Sequence, residues 1–271
     1  MSDLEIKGLR GNVFVTKWAP ADPPRFTVLL VHGYGEHAGR YEHVAAALTA
    51  AGAVVYAPDH HGHGRSDGER AVVDDIDAMA ADLGRVADVA HREHGDLPLV
   101  VFGHSLGGMI ATRFVQGRHS KVDALVLSAP AFGVSPELLG LRDLDPIPEI
   151  PLDPTALSRD PAVGKAYAAD PLVFHGPFHA KTLHEMHAAI ERITRDGGFG
   201  SLPTLWIHGD GDPLVPYPLT KKVFQPLRGT AFEAKVYPGA MHEVLNETNR
   251  DEVLGDVVAF LQRTLSLHTG S

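Results

Sequence analysis

The most constraining stretch of the chain is the short apolar run Leu99-Val100-Val101-Phe102, which passes directly into Gly103-His104-Ser105-Leu106-Gly107-Gly108 and then into the helix-compatible residues Met109 to Gln116. This is the pattern G-x-S-x-G in a strand-turn-helix context, where the turn is sharp and lifts the serine above the end of a sheet. Glycines at 103 and 107 leave no side chain where backbone segments nearly touch, and the turn holds Ser105 in a strained conformation. The pattern alone is weak, because Gly64-Arg65-Ser66-Asp67-Gly68 also fits it. That second match follows the polar run Asp59-His60-His61-Gly62-His63, with no apolar strand before it and no helical stretch directly after, so Ser66 reads as a loop serine.

The rest of the chain is organised around the same alternation. Phe26 to Val31 and Ala53 to Ala57 read as further buried strands, and Ala124 to Leu127, Thr204 to Ile207 and Glu233 to Tyr237 continue the alternation as strands. Between Asp74 and His94, residues Ile76, Met79, Ala80, Leu83, Val86, Ala87 and Ala90 recur on one helical face, with Asp82, Arg85 and Asp88 elsewhere. Arg250 to Leu265 repeats that pattern with Val253, Leu254, Val257, Val258, Leu261 and Leu265 inward. Alternating strands and helices imply a mostly parallel sheet covered on both faces. From about Phe132 to Gly200 the rhythm breaks: Pro136, Pro146, Pro148, Pro151, Pro154, Pro161, Pro171 and Pro177 leave room for no long strand. The expected organisation is a core of residues 1–130 and 201–271 with an inserted cap at 131–200.

Composition narrows the function classes. With 44% apolar and 21% charged residues the chain is of ordinary globular type. Its net charge of −10 repels phosphate backbones and anionic headgroups, so nucleic acid is not an expected partner. The absence of cysteine removes thiolate metal sites and cysteine nucleophiles. Met1 to Asn12 is polar and lacks the pattern of a secretory signal, and the most apolar stretch, Val44 to Ala57, is too short to span a membrane; a cytoplasmic location is expected.

A serine hydroxyl becomes a nucleophile when a histidine takes its proton, and the histidine needs a carboxylate to fix its tautomer and stabilise its cation. In this context the order along the chain is serine, acid, histidine. After Thr204 to Ile207 comes Gly209-Asp210-Gly211-Asp212-Pro213, which puts two candidate acids at the C-terminal end of a strand, where sites of open α/β sheets collect. After the following strand comes Pro238-Gly239-Ala240-Met241-His242-Glu243, whose one histidine is the candidate base among the 17 in the chain. The oxyanion donors expected are the backbone N–H of Leu106, next to the serine, and of Tyr34 in His32-Gly33-Tyr34-Gly35.

These residues carry a resemblance to the monoacylglycerol lipases of the α/β-hydrolase fold, and more broadly to serine hydrolases of the lysophospholipase type. His32 to His37 with Arg40-Tyr41, Asp59 to Ser66 with Gly68-Glu69-Arg70, Gly103 to Gly108, and in the cap Leu157-Ser158-Arg159-Asp160-Pro161, Ala166-Tyr167 and Asp170 to Val173 are similar to family motifs. The resemblance implies an eight-stranded, mostly parallel sheet with an inserted cap. It selects Asp212 over Asp210 and places Glu36 and Arg40 at the polar end of the pocket, where a glycerol headgroup would bind. It implies hydrolysis of an ester carrying one acyl chain, with a small-molecule lipid or ester as partner and transient membrane or micelle contact through the cap. Leu106 stands where the family often has methionine. The first part of the cap, Pro136 to Pro154, is short and carries Arg142, Asp143, Asp145, Glu149 and Asp153 in place of a long apolar helix. A short-chain carboxylesterase or lysophospholipase on the same machinery, or a binding protein on the same fold, are the rival readings. His60, His61 and His63, and His175, His179, His184 and His187, have no recognised metal-ligand spacing, and no phosphate-binding glycine loop joins a strand to a helix. Neither a metal nor a cofactor is expected.

Overall fold

The computed structural model describes residues 1–118, 121–144, 146–148 and 153–265. Eight strands form one sheet: β1 (Ser2–Lys7), β2 (Asn12–Trp18), β3 (Phe26–Val31), β4 (Ala53–Pro58), β5 (Leu99–His104), β6 (Ala124–Ser128), β7 (Thr204–Gly209) and β8 (Phe232–Tyr237). Their spatial order is β1-β2-β4-β3-β5-β6-β7-β8; β1 pairs antiparallel with β2, and β2 with β4, and all other pairs are parallel. The central strands β3 to β7 are buried along almost their whole length because both faces are covered. Along β3, Val28 and Leu30 pack on one side with Val44 and Leu48 of α1 (Glu42–Ala50) and Val253, Val257 and Leu261 of α8 (Arg250–Thr264). Leu29 and Val31 pack on the other, with Leu83 and Val86 of α2 (Ile76–His94), Ile110 and Phe114 of α3 (Leu106–Arg118), and Met186 and Ile193 of α6 (Ala180–Arg195).

The expected strands and both expected helices are present. Two features differ from expectation. The polar start of the chain forms β1 and β2; β1 is an edge strand with exposed and half-buried residues alternating, which accounts for its lack of an apolar run. Asp82, expected away from the apolar face of α2, is buried, and its Oδ1 accepts the Leu9 N–H at 2.7 Å in the turn after β1.

The segment between β6 and β7 contains no strand among the described residues. It carries α4 (Pro136–Gly140), α5 (Pro161–Ala169) and α6; α7 (Tyr217–Phe224) follows β7. Its prolines begin helices as well as breaking them. Pro136 and Pro161 stand at the first helical turns, capped by the side chains of Ser135 on the Leu138 N–H and Asp160 on the Ala162 N–H. Of the charged residues noted in its first part, Asp145 and Glu149 lie outside the described residues, while Asp153 accepts the Thr155 N–H. No helix among the described residues is long and apolar enough to cross a membrane.

Candidate active site

The loops at the C-terminal ends of β3, β5, β7 and β8 converge on one place. β5 ends at His104, and Ser105 follows at φ +54°, a conformation that costs a non-glycine residue free energy and persists because the neighbouring elements enforce it. The Ser105 N–H donates to Ser128 O at 3.0 Å, and Ser105 O accepts from Gly108 N at 2.9 Å and Ala131 N at 3.0 Å. A Cβ at Gly107 would collide with the carbonyl oxygens of Val31 and His32, and one at Gly103 with the carbonyl of Gly107, so both glycines are required for the approach of the elbow to β3.

His242 Nε2 lies 2.9 Å from Ser105 Oγ, and His242 Nδ1 lies 2.7 Å from Asp212 Oδ2. A carboxylate only accepts, so Nδ1 carries the proton and Nε2 is left as the acceptor for the serine hydroxyl. The other oxygen of Asp212, Oδ1, accepts the N–H groups of Leu214 and Val215 at 2.9 Å each. Burial pushes the Asp212 carboxyl up, but the opposing pull of His242 and of hydrogen bonds from His208 and His242 holds it far below the usual carboxylate range. Burial likewise pushes His242 down, and Asp212 outweighs it, so the imidazole ends above its ordinary value. Asp210, the other candidate acid, is exposed and accepts the Gly239 N–H at 2.5 Å, bracing the β8 loop instead of facing His242.

The loop after β3 lies against the serine: a Cβ at Gly33 would stand 3.2 Å from Ser105 Cβ. Leu106 is the first residue of α3, where N–H groups have no intrahelical acceptor and the helix dipole favours negative charge. Tyr34 lines the pocket, its ring stacked on Phe178 at 4.7 Å. Glu36 and Arg40 also line the pocket, but their polar atoms are engaged within the protein. Glu36 Oε1 accepts Gly33 N at 2.6 Å and Tyr41 Oη at 2.6 Å, and Oε2 takes Arg40 Nη1 at 2.5 Å. Arg40 in turn spans both oxygens of Glu243, at 2.7 and 2.8 Å, and stacks over Tyr167 at 5.0 Å. Burial raises the Glu36 carboxyl, and Arg40, His104 and the hydrogen bonds bring it below its ordinary value, so this is a buried, fully paired charge.

The pocket above Ser105 has a volume of about 530 Å³ and is walled mainly by apolar side chains, among them Val134, Leu138, Leu141, Phe174, Met186 and Leu214. A larger cleft of about 730 Å³ lies over α2 and α3, but Arg113 there is paired with Asp77 and Asp196 at 2.6 and 2.8 Å and no nucleophile faces it.

Two further residues of the site are marked by none of the motifs above. His208, on β7, accepts the Trp206 indole N–H on Nδ1 at 3.0 Å, so its Nε2–H points at Val215 O, 2.8 Å away, with Asp212 Oδ2 at 3.4 Å; it supports the carboxylate from behind. The alternation of β7 places Trp206 and His208 on one face, a signal available in Thr204 to Gly209. Glu247 lies buried five residues beyond His242 and accepts the Met241 N–H at 2.8 Å. Of the histidines weighed as metal ligands, His60 donates through Nε2 to His32 O at 3.1 Å and His63 through Nδ1 to His61 O at 3.1 Å.

The family model described as serine aminopeptidase, S33, matches residues 22–249. A monoacylglycerol lipase of Mycolicibacterium smegmatis is 40% identical over 270 residues, covering 96% of this chain and 96% of that protein. Among solved structures, a monoacylglycerol lipase of Paleococcus ferrophilus superimposes with a TM-score of 0.79 at 30% identity, covering 93% of this chain and 99% of the other. A thermostable carboxyl esterase of Bacillus coagulans in complex with glycerol gives 0.83 at 27% identity, covering 97% and 98%. The chain therefore belongs to the serine aminopeptidase, S33, family and, within the α/β-hydrolase fold, to the monoacylglycerol lipase family of serine hydrolases.

Proposed function

We propose that this ester hydrolase cleaves monoacylglycerol to fatty acid and glycerol, with Ser105 as nucleophile, His242 as general base and acid, and Asp212 as the carboxylate that orients His242. The observation that carries the reading is the unbroken relay from Ser105 Oγ through both ring nitrogens of His242 to Asp212, opening onto an apolar pocket. Ser105 Oγ attacks the acyl carbon as its proton passes to His242 Nε2, and the N–H groups of Tyr34 and Leu106 receive the oxyanion. Collapse breaks the ester bond, the proton on Nε2 goes to the departing glycerol oxygen, and the acyl group stays on Ser105. Water, deprotonated by His242, then attacks the acyl-enzyme; the acid leaves and the proton returns to the serine.

Residues 131–200 form the cap over this chemistry, and residues 1–130 and 201–271 the catalytic core. The exposed Leu144, beside Leu138, Leu139 and Leu141 that pack on the core or wall the pocket, is the apolar group offered for transient contact with a micelle or membrane surface. Glu36 and Arg40 border the end of the pocket that takes the glycerol. A second reading, a short-chain carboxylesterase, draws on the charged first part of the cap, where Arg142, Asp143 and Asp153 stand. Fatty-acid release from a long-chain monoacylglycerol, the matching triacylglycerol and a short-chain ester, in the parent and in Ser105→Ala, tests both. Preference for the monoacylglycerol, lost in Ser105→Ala, is the expected result; turnover of the short ester alone moves the protein to the second reading, and activity surviving in Ser105→Ala refutes the mechanism.

A further inference from the structure

Three consecutive backbone N–H groups in the loop after β8 donate to groups outside that loop's own turn. Met241 N donates to Glu247 Oε1 at 2.8 Å, His242 N to Ala156 O at 3.3 Å, and Glu243 N to Leu157 O at 2.8 Å. The middle one belongs to the candidate base itself. Two of the three acceptors lie in the segment between β6 and β7, and the third, Glu247, is tied to that segment. Its side chain has no exposure; Arg159 N donates to Oε1 at 3.1 Å and Arg159 Nε to Oε2 at 2.9 Å. Thr248 N takes up Oε2 as well, at 2.9 Å. Two more bonds close the arrangement: Ser158 Oγ to Asn246 O at 3.0 Å and Arg159 Nη2 to Asn249 Oδ1 at 3.1 Å.

We infer that Glu247 and Arg159 are positioning residues for His242, forming an ionic clamp between a buried carboxylate and an exposed guanidinium through which residues 156–159 of the cap hold the base in register with Ser105. The inference rests on the proposed roles of Ser105 and His242. A carboxylate that receives three backbone N–H groups and a guanidinium N–H on its two oxygens defines the separation of the strands of chain that supply them far more narrowly than apolar contact does, because hydrogen bonds to a charged acceptor are short and directional. His242 Nε2 must keep its 2.9 Å approach to Ser105 Oγ through two proton transfers, and displacement of a reacting group by about 1 Å can cost on the order of a hundredfold in rate.

The test is steady-state hydrolysis of a soluble p-nitrophenyl ester, together with the rate of labelling by a fluorophosphonate, for Arg159→Met, Arg159→Lys, Glu247→Gln and Ser105→Ala. Arg159→Met leaves the three backbone donors on Glu247 in place and so preserves the fold even where Glu247→Gln does not. Arg159→Met is expected to lower kcat about tenfold with KM within twofold of the parent and to slow labelling in proportion, with Arg159→Lys recovering most of the loss. Folded Arg159→Met with parental kcat and labelling rate overturns the inference. So does a loss that appears only as a lowered Tm, or one that Arg159→Lys does not restore. Ser105→Ala separates the two levels: activity surviving there defeats the mechanism, whereas an inactive Ser105→Ala beside an unaffected Arg159→Met defeats only the clamp.

Discussion

Acidification from pH 8 to pH 5 should cost this fold about 6 kcal/mol of stability through three buried histidines that are neutral in it, with a fourth acting in the same direction. His60 and His104 are pushed down to about 3 and His63 to about 4, in each case chiefly by burial, and His32 is driven well below its ordinary value by burial and by His60 and His63. For His32 the hydrogen bonding also demands the neutral form: its Nε2 accepts the His60 N–H at 3.0 Å, and a proton there would abolish the bond. The unfolded chain protonates each imidazole near pH 6.5, so stability is lost as pH falls below that value and continues to fall until the folded-state values are reached. At pH 5 His60, His63 and His104 each contribute about 2 kcal/mol to the loss, giving about 6 for the three, with a limiting slope of about 4 kcal/mol per pH unit, and His32 acts in the same direction. His242 has the opposite sign: its raised value contributes stability that is complete below pH 6.5 and lost as pH rises, so below pH 6 it no longer offsets the loss. Asp212 and Glu36, held low in the fold, contribute stability that disappears only under more acid conditions, and Asp59, raised by burial, gains where carboxyls titrate. Against a total stability of about 5–15 kcal/mol the loss is large enough to unfold the protein near pH 5. Urea denaturation at half-unit intervals between pH 8 and pH 5 measures it; a free energy that changes by less than about 1 kcal/mol over that range refutes the reasoning.

Ser105→Gly should abolish ester turnover and raise stability by about 1 kcal/mol, since glycine adopts φ +54° without strain; thermal melting should show a Tm higher by about 2–4 °C. Asp212→Asn should lower kcat by about 10⁴, because the amide can present its NH₂ to Nδ1 and favour the wrong tautomer. In the parent, kcat/KM should rise with pH along a limb centred above 6.5, where His242 loses its proton, and in Asp212→Asn that limb should move to lower pH, as a pH-rate profile of both proteins would show.

Residues proposed for the site from their place at a strand end were legible in the sequence: Ser105 directly follows the apolar run of β5, His242 lies in the loop after β8, and the structure sets them 2.9 Å apart. Asp212 could not be chosen over Asp210 from the residues themselves, which share one loop. Their difference appears only when Leu214 and Val215 turn back onto Asp212 Oδ1 while Asp210 caps Gly239. The helices of the cap were obscured because prolines that read as breaks also begin them. Glu36 and Arg40 were visible as a pair, yet their bonding to Gly33, Tyr41 and Glu243 depends on a residue 203 positions away. Glu247 was silent for the same reason, since its partner Arg159 is 88 residues distant. Roles of this kind are properties of pairs brought together by folding, and no local pattern announces them.

The buried histidines also show how the site selects one base. His104 and His242 are both buried, with ring centroids 4.9 Å apart, so two cations there would repel strongly and only one proton can be held between them. Desolvation acts downward on both rings. What separates them is the partner on each: His104 Nδ1 meets the neutral Ser128 hydroxyl at 3.0 Å, while His242 Nδ1 meets the Asp212 carboxylate at 2.7 Å. A hydroxyl can serve a neutral imidazole equally well as donor or acceptor, whereas a carboxylate favours the cation. The result is that His104 is pushed down to about 3 and His242 is raised, across less than 5 Å. On the proposed mechanism a proton leaving Ser105 therefore has one destination, and it stays there, within reach of the departing oxygen, until the leaving group takes it.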